Sequence, residues 1–387
     1  MASVHLFVGT RKGAFVYTAD DAREAWTLSP PMMPGWTISH MVADTRRDIP
    51  RLLAGGSHWA WGPMVARSDD HGATWSERST GLAFEADRGE SVGSVWNVRP
   101  GRASEPGVVY AGTQPAGLFR STDWGETWTA VEAVNQHPYR EFWGPSGGGA
   151  SALHSIELHP TDPACMYISI ATGGTYVTRD SGRTWDLCSH RAIPTNPMQK
   201  EMWENIAERY PQFADMDFPV PPGVDPQAVN EMHKLRLDPK HPDHLWAQTH
   251  VGVFRSYDAA ETWQDVTVGL PSFHGFPMAV SRNGDHAAYV VPLAFEADNF
   301  RVCDGQFAVY RTRDGGTTWQ PLTNGLPGPH DYQSVYREAM DTDGMASEGV
   351  YVGTTNGEVY ASIDGGDHWR RLPGTLPPIL SVSTAIY

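Results

Sequence analysis

Read from its start, the chain is a succession of short apolar runs separated by turn residues. Segments such as "GVVYAGTQPAGLFRSTD" (107–123), "HLWAQTHVGVFRSYD" (244–258) and "GVYVGTTNGEVYASID" (349–364) each hold two such runs around a turn. Each pair is preceded by another apolar run that ends near a proline or an aspartate, as in "VWNVRPGRASEPG", "SIELHPTDP" and "KLRLDPKHPD". Each is followed by a fourth, such as "TWQDVTV". Short runs bounded by turn residues predict antiparallel strands, four to a unit.

Between the third and fourth strand of each unit stands an octet. Five are close copies: "SDDHGATW" (68–75), "STDWGETW" (121–128), "TRDSGRTW" (178–185), "SYDAAETW" (256–263) and "TRDGGTTW" (312–319). A sixth, "SIDGGDHW" (362–369), places His368 where the others have threonine, and "TADDAREAW" (18–26) is a degenerate seventh. Their tryptophans recur about every fifty residues, except between Trp185 and Trp263, where an insertion must lie. Four strands repeated radially at that period predict an all-β, seven-bladed β-propeller spanning 1–387 as one domain. The chain opens on a second-strand pattern, "VHLFVGT", so blade one lacks its inner strand; the C-terminal "ILSVSTAIY" is expected to supply it.

The octets themselves predict structure rather than chemistry. Asp123 can accept backbone amides of its own turn, Gly125 can take a positive φ, Thr127 starts the outer strand, and Trp128 buries a large apolar surface. The octets and the strand links resemble those of the Asp-box, or BNR-repeat, propellers, which include sialidases, xyloglucanases, photosystem II assembly factors and the sortilin ectodomain. That resemblance covers essentially the whole chain and implies the propeller fold, with the octets away from the active face. It implies either a glycosidase or a non-enzymatic binder. A sialidase would carry an Arg-Ile-Pro motif; none occurs, and the nearest early arginine is Arg11 in "GTRKG". Sialic acid is therefore not the expected substrate.

Composition narrows the partners. The formal charge of −16 disfavours nucleic acid, which binds basic surfaces. No run of 18 apolar residues predicts a membrane span. The start of the chain enters a strand pattern at once, and the three cysteines (Cys165, Cys188, Cys303) lack metal-like spacing, so a cytoplasmic protein is expected.

Candidate chemistry gathers on the face opposite the octets, where the turns between second and third strands and the blade-to-blade links lie. "GGSHWAWGP" (55–63) brings His58, Trp59 and Trp61 to the rim, where aromatics could stack on sugar rings or pack under a loop. "NQHPYREFWGPSGGGAS" (135–151) offers His137, Tyr139, Arg140, Glu141 and Trp143, either as substrate contacts or as a packed Ω-like loop. The insertion 190–233 predicts a short helix over Pro197–Tyr210 followed by an extended strap, which would cap the channel or contact a protein partner or a second copy. "PLAFEADNFRVCDGQ" (292–306) carries Glu296 and Asp298, and the echo "LAFEAD" at 82–87 carries Glu85 and Asp87.

Glu141, Glu85, Asp87, Glu296 and Asp298 are the candidate acids and bases, with Arg140 and Arg11 as anion holders. His154, His233, His250 and His274 fall on the same face, beside His40 and His58. No cofactor is expected, apart from a divalent metal that these histidines or carboxylates could hold. Glu157 and Arg236 occupy matching channel-facing positions and predict an ion pair; Arg337 and Glu338 can play a similar part. The leading expectation is a glycoside hydrolase-like or lyase-like enzyme acting on a glycan or similar polar small molecule; the alternative is a non-enzymatic binding or assembly propeller.

Overall fold

Seven small antiparallel sheets stand in a ring, as a computed structural model describes them for residues 3–76, 79–86, 89–144, 149–189, 192, 231–294 and 301–387. Six sheets have four strands; in blade two three strands pair regularly, and Ser76 continues the edge by exchanging backbone hydrogen bonds with Arg67 at 2.8 and 3.0 Å. The inner strands are Ile379–Ile386, Thr37–Asp44, Ser94–Pro100, Leu153–Leu158, Met232–Leu237, Gly275–Val280 and Met340–Thr342, for blades one to seven in turn. The C-terminal strand pairs with Ser3–Thr10, from Val4 opposite Ile386 to Thr10 opposite Ile379, and so completes blade one as expected. Among the described residues, no helix is long and apolar enough to cross a membrane.

The octets behave as their residue types require. In blade three one Asp123 oxygen accepts from the amides of Glu126 and Thr127 at 3.0 and 2.9 Å, and the other accepts from the Thr127 hydroxyl at 2.6 Å. Ser121 donates to Asp123 and accepts from the Gly125 amide, at 2.7 and 2.8 Å. The same wiring recurs around Asp70, Asp180, Asp258 and Asp314, and in the sixth octet the His368 ring replaces the threonine hydroxyl at 2.7 Å from Asp364. The tryptophan reaches back to the preceding blade: the Trp263 indole donates to the Cys188 carbonyl at 3.0 Å, and that of Trp319 to Val266 at 2.8 Å. Each of these octets therefore closes its own turn, and those of Trp263 and Trp319 also clasp the preceding blade by a hydrogen bond.

The apolar core lies between blades rather than at the centre of the ring. Tyr110, Leu118, Leu153, Ile156, Ile168 and Trp185, for instance, form one cluster between blades three and four. The second strands approach the next inner strand closely. A Cβ at Gly112 would lie 2.4 Å from the Leu153 carbonyl oxygen, so only glycine fits there. The helix expected over Pro197–Tyr210, with most of the strap to 230, lies outside the described residues, as do Asp87, Glu296 and Asp298.

Candidate functional site

Alternation along the inner strands turns charged side chains toward the channel. Glu157 accepts from Arg236 at 2.9 Å and lies 3.7 Å from Arg99, which realises the expected ion pair. Deeper in, Glu338 is bonded to the fully buried Lys234 ammonium, with the Asn97 amide at 3.4 Å and His40 at 4.0 Å. Burial pushes Lys234 down to about 8, with Arg236 adding to the shift against Glu338. Burial would raise the Glu338 carboxyl, but Lys234, His40 and Arg236 together hold it below the usual carboxylate range.

A cavity of about 570 Å³ opens at the octet end of this channel, lined in part by Arg99, Glu157, Arg236, Arg282, Asp341 and Asp343. Its carboxylates are committed to arginines: Asp341 to Arg282 at 2.8 Å and Asp343 to Arg23 at 2.7 Å, alongside the Glu157 pairs. These ion pairs tie neighbouring blades together.

On the opposite, loop-rich face a second cavity of about 710 Å³ lies against blades three and four. Its walls include Glu90, His137, Arg140, Glu141, Trp143 and Ser151, so four of the five residues expected to act in the 135–151 loop meet there. The loop starts with the helical turn Glu132–Asn135 and continues as a 3₁₀ turn over Pro138–Phe142, whose proline sits in its first turn.

Several of these side chains have structural duties. The His137 ring accepts from the Tyr139 amide at 3.1 Å as an N-terminal cap, and its other nitrogen faces the Trp185 carbonyl at 3.2 Å. Burial holds that imidazole below its ordinary pKa, against the Trp185 carbonyl. The Trp143 indole donates to Tyr176 at 2.9 Å, and Tyr139 packs on the core between the blades. Arg140 stacks over Phe84 and Trp143, donates to the Ala116 carbonyl, and pairs with Glu90 at 2.6 Å. Glu141 is exposed to the cavity. Glu90 was not singled out from the sequence, because only the Arg140 contact, fifty residues away, distinguishes it from other surface glutamates.

The remaining candidates are dispersed. Trp59 and Trp61 are 93% and 77% exposed, and His58 lies between them and Trp36, its ring 5.0 Å from the indole of Trp36. Arg11 stands in the blade-one turn, 3.5 Å from the Tyr336 hydroxyl. Exposed Glu85 accepts from Gln136 at 3.2 Å.

The histidines divide. His154 is buried with its Nε2 2.8 Å from the Met232 carbonyl and its Nδ1 2.9 Å from the Ser155 hydroxyl, which ties blade four to blade five. His233, His250 and His274 converge at blades five and six, where one ring nitrogen of each lies within 4.8 Å of the others. Glu231 joins them, with oxygens 3.4 Å from His233 Nε2, 3.2 Å from His250 Nδ1 and 3.5 Å from Arg337. Burial drives His233 down to about 4 and His274 to about 2. Burial would raise Glu231, but His250 and His233 hold it well below the carboxylate range. On the octet face Asp238, His241, His244 and His286 form a second, more exposed group.

No family model matches the chain. Its curated relatives include a xyloglucanase of a Paenibacillus species, 24% identical over 356 residues, and the oligoxyloglucan-reducing end-specific xyloglucanase of Emericella nidulans, 22% identical over 273. Those alignments take in 87% and 66% of this chain and 30% of each relative, so the chain matches less than a third of their length. Among solved structures it is similar to an ancestral GH74 enzyme, at TM-score 0.54 and 15% identity over 86% of this chain and 38% of that one. It is also similar to YCF48 from Cyanidioschyzon merolae, at TM-score 0.51 and 14% identity over 88% of both chains. These structural likenesses are likenesses of fold: the seven-bladed propeller.

Proposed function

We propose that the protein is a glycoside hydrolase-like enzyme that takes a carbohydrate on its loop-rich face and cleaves it in the cavity beside blades three and four. The observation that carries this reading is the pair of carboxylates on that cavity wall, Glu90 and Glu141. One is ion-paired to Arg140 and the other is open to solvent. Glycoside cleavage needs two carboxyl groups in unlike surroundings, one to protonate the leaving oxygen and one to act as base or nucleophile. The exposed indoles of Trp59 and Trp61 suit stacking on sugar rings at the rim, and the xyloglucanase relatives make a glycan the natural substrate class.

The test is release of reducing ends from xyloglucan and a panel of plant and bacterial oligosaccharides. Glu90→Gln and Glu141→Gln should each lower kcat by roughly 10²–10⁴-fold, as loss of a general acid or base does. Trp59→Ala and Trp61→Ala should raise KM with little change in kcat. Turnover that survives both glutamate substitutions would refute the site. Glycan binding without any turnover would leave a binding propeller in place of an enzyme.

A further inference from the structure

We infer that Glu231, His233, His250 and His274 form a binding site for one divalent transition-metal ion at the loop-rich end of the channel. The inference rests on side-chain geometry and is independent of the carbohydrate reading. His233 is fully buried, and its Nδ1 lies 2.6 Å from the Gly275 carbonyl. A carbonyl can only accept, so the ring proton sits on Nδ1. Nε2 then presents its lone pair to a Glu231 oxygen 3.4 Å away, which is also an acceptor, and no hydrogen bond satisfies that buried nitrogen. Two acceptors facing each other, one of them fully buried, call for a cation between them.

The surrounding rings are arranged to meet that need. The three imidazoles stand edge to face, with centroids 5.0–5.4 Å apart and planes at 79–90°, and one nitrogen of each lies within 4.8 Å of the others. In a tetrahedral site with bonds of about 2.1 Å, neighbouring donor atoms are ~3.4 Å apart. The Glu231 contacts to His233 and His250, at 3.4 and 3.2 Å, already have that spacing. The bond from His233 Nδ1 to a backbone carbonyl is the outer-shell contact that orients a metal-binding imidazole. His250 and Glu231 are partly exposed, which leaves a route for the ion to enter.

Three nitrogens and one carboxylate favour zinc, manganese, iron or cobalt over magnesium or calcium, which prefer all-oxygen sites. Arg337, 3.5 Å from Glu231, would stand beside the ion and could receive an anionic group brought to it.

The whole chain, freed of metal by chelation and dialysis, should be titrated with Zn²⁺, Mn²⁺ and Co²⁺. Calorimetry and elemental analysis read the stoichiometry, and visible absorption reads nitrogen ligation of Co²⁺. One equivalent is expected, with a rise in Tm on binding. His250→Ala, the least buried ligand substitution, and the isosteric Glu231→Gln should each weaken binding by at least about tenfold. His241→Ala, in the octet-face group, should leave it unchanged. Failure of the unmodified protein to bind any of the three ions would overturn the inference. So would binding retained in both His250→Ala and Glu231→Gln, or lost only in His241→Ala.

Discussion

Glu338→Gln tests the electrostatics of the channel with the least change of shape. Its carboxylate is bonded to the Lys234 ammonium, and both side chains are shielded from water, 5% and 0% exposed. Deleting one partner of a buried pair leaves the other charge uncompensated, at a cost of about 3–5 kcal/mol. With an unfolding entropy of about 2.1 cal/mol/K per residue, or about 0.8 kcal/mol/K for this chain, that is a fall in Tm of about 4–6 °C. The loss should depend on pH. Lys234 binds its proton less tightly folded, at about 8, than unfolded, near 10.5. The unfolded chain therefore holds the extra proton between those values, and the wild type gains stability as pH rises from about 8 to 10.5. Removing Glu338 lowers the folded value further and starts that gain at lower pH. The deficit should be largest at pH 6.5 and shrink by pH 9. Thermal unfolding followed by tryptophan fluorescence reads both. The double variant Lys234→Met/Glu338→Leu, with neither charge, should return to within about 1 kcal/mol of the wild type. A Glu338→Gln loss below 1 °C at both pH values, or a double variant no better than the single, would refute the account.

Other consequences are simpler to measure. Asp123→Ala removes four accepted bonds of one octet turn and should cost about 1–2 kcal/mol in denaturant unfolding, with the equivalent change at Asp314 adding to it independently. Hydrogen bonds from their own octets hold Asp70, Asp180 and Asp314 down to about 2 against an unfolded value of 3.8, and at Asp123, where burial pulls the carboxyl up, they still bring it to about 2. Because these folded values are depressed, their stabilisation is complete above about pH 4 and is lost as pH falls toward 2; an acid titration by circular dichroism should show the sheets failing in that window. Gly112→Ala drives a methyl onto the Leu153 carbonyl between blades three and four, and about 1–3 kcal/mol of destabilisation is expected by thermal melt.

The architecture was legible because a propeller writes itself in local repeats. Each octet carries its aspartate, its glycine or alanine and its tryptophan within eight residues, and the missing first strand of blade one pointed to the C-terminus. The site was legible only in part. His137, Arg140, Glu141 and Trp143 lie close together in sequence and meet at one cavity, but His137 and Trp143 carry hydrogen bonds that no pattern announces. The partners that matter most come from other blades: Glu90 beside Arg140, and Lys234 beside Glu338 across the channel. Their meeting depends on register and on the curvature of the ring, neither of which residue types encode. The histidines show the same limit. His154 and His233 sit at equivalent places in adjacent blades and each reaches a carbonyl of the next inner strand, yet only His233 also meets His250, His274 and Glu231.

The clasp of blade one also sets an order of events during synthesis. The strand Ser3–Thr10 is made about 370 residues ahead of its partner Ile379–Ile386. At elongation rates of about 5–20 residues per second, the early strand waits roughly 20–75 s for it. Through that interval six blades can stack while one edge of Ser3–Thr10 stays unpaired, open to wrong partners. The ring is locked only when Tyr387 exchanges backbone hydrogen bonds with Ser3, at 2.9 and 3.2 Å, and lays its ring on His5, 4.1 Å between centroids. A nascent chain stalled short of residue 379 should therefore be an open arc, sensitive to protease at its first strand and prone to pair with a second chain.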